Sequence, residues 1–195
     1  MNYYDLGSYS RPVSTNSKDA QLWFDRGLAW TYAYNHEAAI ECFQQALTAD
    51  PGCAMAHWGI AYCIGPNNNK PWETFEEEEK PECIELAHSS LRSAKNLLDK
   101  LTPVEVALIE ALSARYPDTP NIDDFGPWND AFAKAMREVH AKFGNDLDVC
   151  AVVAEAIMNR TPWELWDLPS GQPAEGAETL EAISVLDNAF ATLPG

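Results

Sequence analysis

The stretch Gly65-Pro66-Asn67-Asn68-Asn69-Lys70-Pro71-Trp72-Glu73-Thr74-Phe75 sets three amides and an ammonium group between two prolines and two large aromatics. Those side chains can donate and accept hydrogen bonds in several directions at once. The motif Tyr34-Asn35-His36-Glu37-Ala38 adds an imidazole, a group able to move a proton or ligate a metal. Pro71-Trp72 recurs as Pro127-Trp128 and Pro162-Trp163, with Trp166 close behind the last. Aromatic walls around a few polar groups are the composition of a ligand pocket or lid. A plainer reading stands beside it. Proline before an aromatic marks helix starts, and Thr161-Pro162-Trp163-Glu164 reads as a capping box, so each tryptophan can pin its own loop onto helices below. The candidate loop face comprises Asn35, His36, Asn67, Asn69, Lys70, Trp72, Trp128, Trp163 and Trp166, with Phe75 and Phe125 beside them. Asn35 is most simply a helix N-cap.

No metal, cofactor or catalytic residue is expected. His36 starts one helix, whereas His57 lies about eight residues, or ~12 Å, along the next helix from the same edge. His88 and His140 have no histidine partner at i, i+4. Cys42, Cys53, Cys63, Cys83 and Cys150 are odd in number, lack C-x-x-C spacing and fall mostly in apolar helical patterns, which reads as buried reduced thiols. The chain has no glycine-rich phosphate loop, nucleophile elbow or triad.

The elements that carry these residues repeat. Counting from Ala20, the residues Trp23, Gly27, Trp30, Ala39, Phe43, Ala46 and Pro51 fall at positions 4, 8, 11, 20, 24, 27 and 32 of a 34-residue unit. Small residues at Gly27, Ala39 and Ala46 let two antiparallel helices approach, Trp23, Trp30 and Phe43 fill the seam, and Pro51 ends the second helix. The second-helix signature returns as Ala87, Leu91, Ala94 and as Ala182, Leu186, Ala189, the last followed by Pro194. "AMAHWGIAYCI", "PVEVALIEALSARY" and "DLDVCAVVAEAIMN" read as first helices by their i, i+3, i+4, i+7 apolar spacing. Thr102-Pro103-Val104-Glu105 is a capping box with proline at the first helical position. The helix over Trp128 to Phe143 fits the unit poorly. Four hairpins result, at about 20–50, 54–99, 103–143 and 146–192, after an extended segment 1–19.

This pattern resembles the tetratricopeptide repeat (TPR), with Arg26 in place of the usual leucine and Trp30 in place of the usual tyrosine. The runs "YNHEA", "CAMAHWGIA" and "GPN" are similar to those of a largely uncharacterised group of microbial TPR proteins, in which the chain continues into further helices carrying several histidines. The resemblance implies an all-α, right-handed solenoid of about four antiparallel hairpins with long intra-hairpin insertions. The insertions at 65–80, 117–128 and 161–176 would then gather on one face. It also implies a concave groove lined by first-helix positions, here Gln21, Phe24, Leu28, Thr31 and Tyr32 and then Met55, Trp58 and Tyr62. Phe24, Leu28, Tyr32, Trp58 and Tyr62 make that groove apolar and aromatic, suited to a hydrophobic peptide or to the protein's own covering segments. The lysine and asparagine clamp of chaperone-tail binders is absent.

Charge narrows the partners. A net charge of -17 with only 13 Lys and Arg leaves no basic stripe for nucleic acid and disfavours anionic membranes. No apolar stretch approaches a membrane span and no signal peptide is recognisable, so a cytoplasmic location is expected. With 46% hydrophobic residues the chain can bury one ordinary core. Glu76 to Glu79 reads as a solvated acidic entry to a helix starting near Pro81. At the other end, Ile183, Val185, Leu186 and Phe190 are expected to form an exposed apolar strip. Either the chain is then a truncated or cleaved N-terminal part whose continuation covers the strip, or a second chain, most simply a symmetric copy, covers it. The leading expectation is a helical-repeat protein-binding or scaffold module, using the groove and the Pro-Trp face, with a protein or peptide, its own continuation or a homodimer as partner. The alternative is the N-terminal part of an enzyme or small-molecule-binding protein with its pocket under the Pro-Trp loops.

Overall fold

The computed structural model describes residues 3–118 and 124–192. The middle of the 117–128 insertion, and Pro194, lie outside the described residues. Among the described residues, apolar residues at three- and four-residue spacing fold into eight α-helices: α1 (Lys18–Tyr32), α2 (His36–Ala49), α3 (Ala54–Ile64), α4 (Glu79–Lys95), α5 (Pro103–Leu112), α6 (Gly126–Phe143), α7 (Leu147–Met158) and α8 (Thr179–Thr192). Two short antiparallel strands, β1 (Trp166–Asp167) and β2 (Gln172–Pro173), pair Trp166 with Pro173 and Asp167 with Gln172. The fold class is all-α. Among the described residues no helix is long and apolar enough to cross a membrane.

Local chemistry accounts for the helix starts. Ser17 Oγ accepts from Ala20 N at 3.2 Å and Asn35 Oδ1 from Ala38 N at 3.2 Å, each satisfying an amide that the first turn leaves unpaired. Asp146 Oδ1 takes both Asp148 N and Val149 N. The Thr102–Glu105 capping box forms, with Thr102 N and Oγ1 donating to Glu105 Oε2 at 2.8 and 2.7 Å.

The chain divides into two compact units, one of Met1–Gly65 with Glu85–Ile109 and one of Pro66–Ile84 with Glu110–Gly195. In the first, α1 packs on α2 and α3 packs against both. The fully buried Phe43 ring lies between two glycines. A Cβ added at Gly27 would sit 2.5 Å from Phe43 Cε1, and one at Gly59 would sit 2.6 Å from Cε2. Both glycines are therefore there for close approach.

Trp23 and Trp30, expected in that seam, are only half-buried and meet the N-terminal segment. Tyr3 Oη accepts from Trp30 Nε1 at 2.9 Å, its ring meets Trp23 edge-on at 5.2 Å, and Tyr4 meets Trp30 at 5.8 Å. The Arg26 guanidinium lies over both Tyr3 (4.4 Å) and Trp23 (4.5 Å), a cation–π contact that a leucine at this position would lack. The extended segment is thus docked along its length. Ser10 and Arg11 bond to Asp25, Gln21 Nε2 donates to Arg11 O at 2.7 Å, and Ser14 N and Oγ both donate to Glu105.

In the second unit, α6 packs on α7 and α7 on α8. Phe132, Met136, Val149, Val153, Ile157, Ala182 and Ala189 are buried there. All five cysteines are buried free thiols. Burial pushes Cys53 up to about 11 and Cys83 up to about 12, so both stay protonated and unreactive at neutral pH.

Candidate functional site

The asparagine loop closes on itself. Asn67 is buried, and its Oδ1 accepts from Asn69 N (2.8 Å) and Lys70 N (3.0 Å), while its backbone exchanges two 3.0 Å hydrogen bonds with Lys70. That carboxamide oxygen is spent on the turn. Lys70 Nζ donates to both oxygens of Glu79 at 3.0 and 3.1 Å and lies 4.4 Å over Phe75, while Asn69 is exposed. The Lys70 hydrogen bond, then one from Glu76 N, lowers the Glu79 pKa. Pro71 leads into a single 3-10 turn, Trp72–Thr74.

Trp72, expected on an open face, is fully buried. Its ring stacks on Phe125 at 4.4 Å and meets Phe75 at 5.0 Å and Tyr116 edge-on at 6.2 Å. Of the two readings, loop pin and pocket wall, this burial agrees with the pin: four aromatics gain more by packing together than any one does beside water. Trp128, at the start of α6, is half-buried.

Arg115 was not singled out by its sequence context, yet it ties this region together. It is almost completely buried, its Nη2 donates to Pro66 O and lies 3.9 Å from Glu155, and its guanidinium sits 4.9 Å over Phe132. Glu155 in turn accepts from Asn159 Nδ2 at 2.7 Å. A polar residue at the end of "PVEVALIEALSARY" reads as solvated, because nothing local marks the carbonyl and carboxylate that meet it.

In the first unit, His36 Nδ1 lies 3.1 Å from Cys63 O, and its ring is stacked on Tyr34 at 6.1 Å and tilted against Tyr62 at 6.4 Å. The residues expected to line an open groove are mostly interior. Phe24, Leu28, Trp58 and Tyr62 are all buried, and Tyr32 alone of the five is exposed. Trp58 stacks on Tyr62 at 5.1 Å and its Nε1 donates to Leu108 O at 3.2 Å. Of the two occupants expected for a groove built on these four, the chain's own segments rather than a free peptide lie against them, as where Trp58 meets Leu108. A different hollow of about 280 Å³ lies between the N-terminal segment and α1, lined among others by Tyr4, Tyr9, Leu22, Asp25 and Arg26.

The third insertion behaves differently from the first. No helix starts at Thr161. Glu164 N closes a turn onto Thr161 O at 3.1 Å, and Trp163 adopts φ 64°, a left-handed conformation that side chains other than glycine rarely hold. The capping-box reading of Thr161–Glu164 is thus corrected, as is the pinning role for this tryptophan. Trp163 is 62% exposed, Trp166 41% and Leu168 87%. The tip is hydrogen-bonded on itself: Asp167 Oδ2 takes Ser170 N and Oγ, Gly171 N donates to Asp167 O at 2.8 Å, and Gly171 supplies φ 68°.

The base of this hairpin is clamped. Thr179 Oγ1 donates to Leu165 O at 2.6 Å. Arg160 bonds to Asp130 (2.6 Å) and Glu178, and Arg137 reaches Glu178 (2.5 Å) and Glu181 (2.6 and 2.7 Å). The Arg137 hydrogen bond outweighs burial and holds the Glu181 carboxyl below its usual pKa. On the neighbouring α8, Leu180, Ile183 and Phe190 are exposed, whereas Val185, expected in that strip, turns inward and Leu186 is half-buried.

The three Pro-Trp pairs thus have three fates: buried at Trp72, half-buried at Trp128 and projecting at Trp163. What the projecting hairpin offers a ligand is indole and aliphatic surface on a braced frame, beside carboxylates. No family model, curated protein or solved structure matches this chain.

Proposed function

We propose that the chain is a helical-repeat binding module of TPR type that engages a protein or peptide partner through the insertion at 161–176. The observation that carries this reading is the projection of Trp163, Trp166 and Leu168 from a hairpin whose base is held by Arg137 and Arg160. Large apolar side chains on a rigid support lose little conformational freedom on docking and bury much area, which is why tryptophan is enriched at binding hot spots. The repeat part of the reading draws on the order in which helices pack, α1 on α2 and both on α3, with Phe43 held between Gly27 and Gly59 as close-approach residues.

The test compares wild type with Trp163→Ala/Trp166→Ala. The expected result is a partner protein retained on immobilised wild type and reduced at least about tenfold on the double variant, as for hot-spot truncation. Far-ultraviolet circular dichroism and melting temperature should be unchanged. Equal retention by a folded double variant would remove the hairpin from the binding site.

A further inference from the structure

Residues 161–192 contain Glu164, Asp167, Glu175, Glu178, Glu181 and Asp187 and no lysine, arginine or histidine. The same segment supplies six of the twelve large apolar side chains exposed among the described residues, so acidic and exposed apolar residues fall in one stretch of the sequence. Glu178 and Glu181 are engaged by Arg137 and Arg160. Glu164, Asp167, Glu175 and Asp187 are exposed and have no basic partner among the described residues. Acid and apolar groups alternate along the hairpin, as Trp163-Glu164 and as Trp166-Asp167-Leu168. Along α8, Asp187 stands between Ile183 and Phe190.

We propose that residues 161–192 dock a cationic amphipathic segment of a partner protein, one in which lysine or arginine alternates with large apolar residues. This rests on the binding-module reading and names the partner's chemistry. An exposed indole attracts an ammonium or guanidinium group to its face, and a carboxylate beside it completes a charge-assisted contact. The apolar residues of such a segment would cover Trp163, Trp166 and Leu168. A second copy fits worse, because each chain carries -17 and would set these carboxylates against like charges. Anionic lipid is repelled for the same reason. The left-handed Trp163 backbone costs free energy in the isolated chain, and the braced hairpin base holds the indole outward against that cost.

Fluorescence anisotropy with a labelled synthetic helix of leucine and lysine, and with its leucine and glutamate counterpart, tests the proposal. The lysine peptide should bind and the glutamate peptide should not. Trp163→Ala/Trp166→Ala and Glu164→Gln/Asp167→Asn/Glu175→Gln should each weaken binding about tenfold or more. Glu76→Gln/Glu77→Gln/Glu78→Gln neutralises three carboxylates elsewhere and should leave Kd within about twofold, as expected for rim or remote charges. Equal loss from both neutralised sets would overturn the proposal by showing attraction to net charge alone. Binding of both peptides alike, or of neither, would overturn the cationic partner. The capture experiment above would still decide whether the hairpin binds protein at all. A sedimentation mass that doubles in wild type and not in Trp163→Ala/Trp166→Ala would assign the surface to a second copy instead.

Discussion

Phe43 shows how one side chain sets the demands on its neighbours. Gly27→Ala places a methyl group 2.5 Å from a ring that Gly59 confines on its other side, so the ring has nowhere to retreat. A loss of about 1 to 3 kcal/mol is expected in urea unfolding, typical of overpacking. In a Phe43→Leu background the same substitution should cost much less, and that non-additivity is the signature of direct contact. Glu105 makes the second residue-scale case. Burial pushes its pKa up, but donors from Ser14 and Thr102 outweigh it and leave the value lowered. A lowered carboxylate contributes stability that is fully present above its unfolded pKa of about 4.3 and is lost as pH falls through the folded value. Melting temperature between pH 7 and pH 3 should therefore fall more steeply for wild type than for Glu105→Gln, with the variant less stable by about 1 to 3 kcal/mol at pH 7. The capping box at Thr102 is readable from four consecutive residues, but the pair of bonds from Ser14 comes from 91 positions away and is not.

At the scale of elements, two identical-looking signals diverge. Thr102-Pro103-Val104-Glu105 starts α5, whereas Thr161-Pro162-Trp163-Glu164 starts nothing. The difference lies downstream. A mostly apolar run free of glycine and proline follows the first, while Pro169, Gly171 and Pro173 follow the second and would break any helix within its second turn or soon after. The insertions diverge as well, since Trp72 stacks on Phe125 inside its unit and Trp163 points to solvent. Trp72→Ala should therefore destabilise by about 3 to 5 kcal/mol, the usual cost of removing a buried tryptophan. Trp163→Gly should leave stability unchanged or slightly raised, because glycine accepts a positive φ without strain. Chemical denaturation of the two variants side by side checks this. Equal destabilisation would contradict the placement of one or the other.

Across the whole molecule, 30 acidic residues against 13 basic ones make self-repulsion a standing load on the folded state. Raising salt from about 10 to about 150 mM shortens the Debye length from roughly 30 to roughly 8 Å. If screening recovers about 1 kcal/mol, melting should rise by about 2 to 4 °C. A fall would mean that the ion pairs at Arg137 and Arg160, which salt also screens, outweigh the repulsion.

The amino-acid sequence by itself determined the all-α class, the sites of the helices and several of their caps, because those depend on spacing and on side chains within one or two turns. Gly27 was legible as a close-approach residue and Phe43 as a seam filler from the repeat spacing, but that the two touch, with Gly59 on the other side of the ring, was not. Which aromatics end inside was not legible. Trp72 and Trp163 share the same local motif, and only their distant surroundings separate them: Phe125 and Tyr116 for one, a braced hairpin open to solvent for the other. Which of two occupants, a peptide or the chain's own segments, would cover Phe24, Leu28, Trp58 and Tyr62 was not legible either, as Trp58 meets Leu108, 50 residues on. Burial is a property of what the rest of the chain brings to a residue, and the tertiary structure alone decides that.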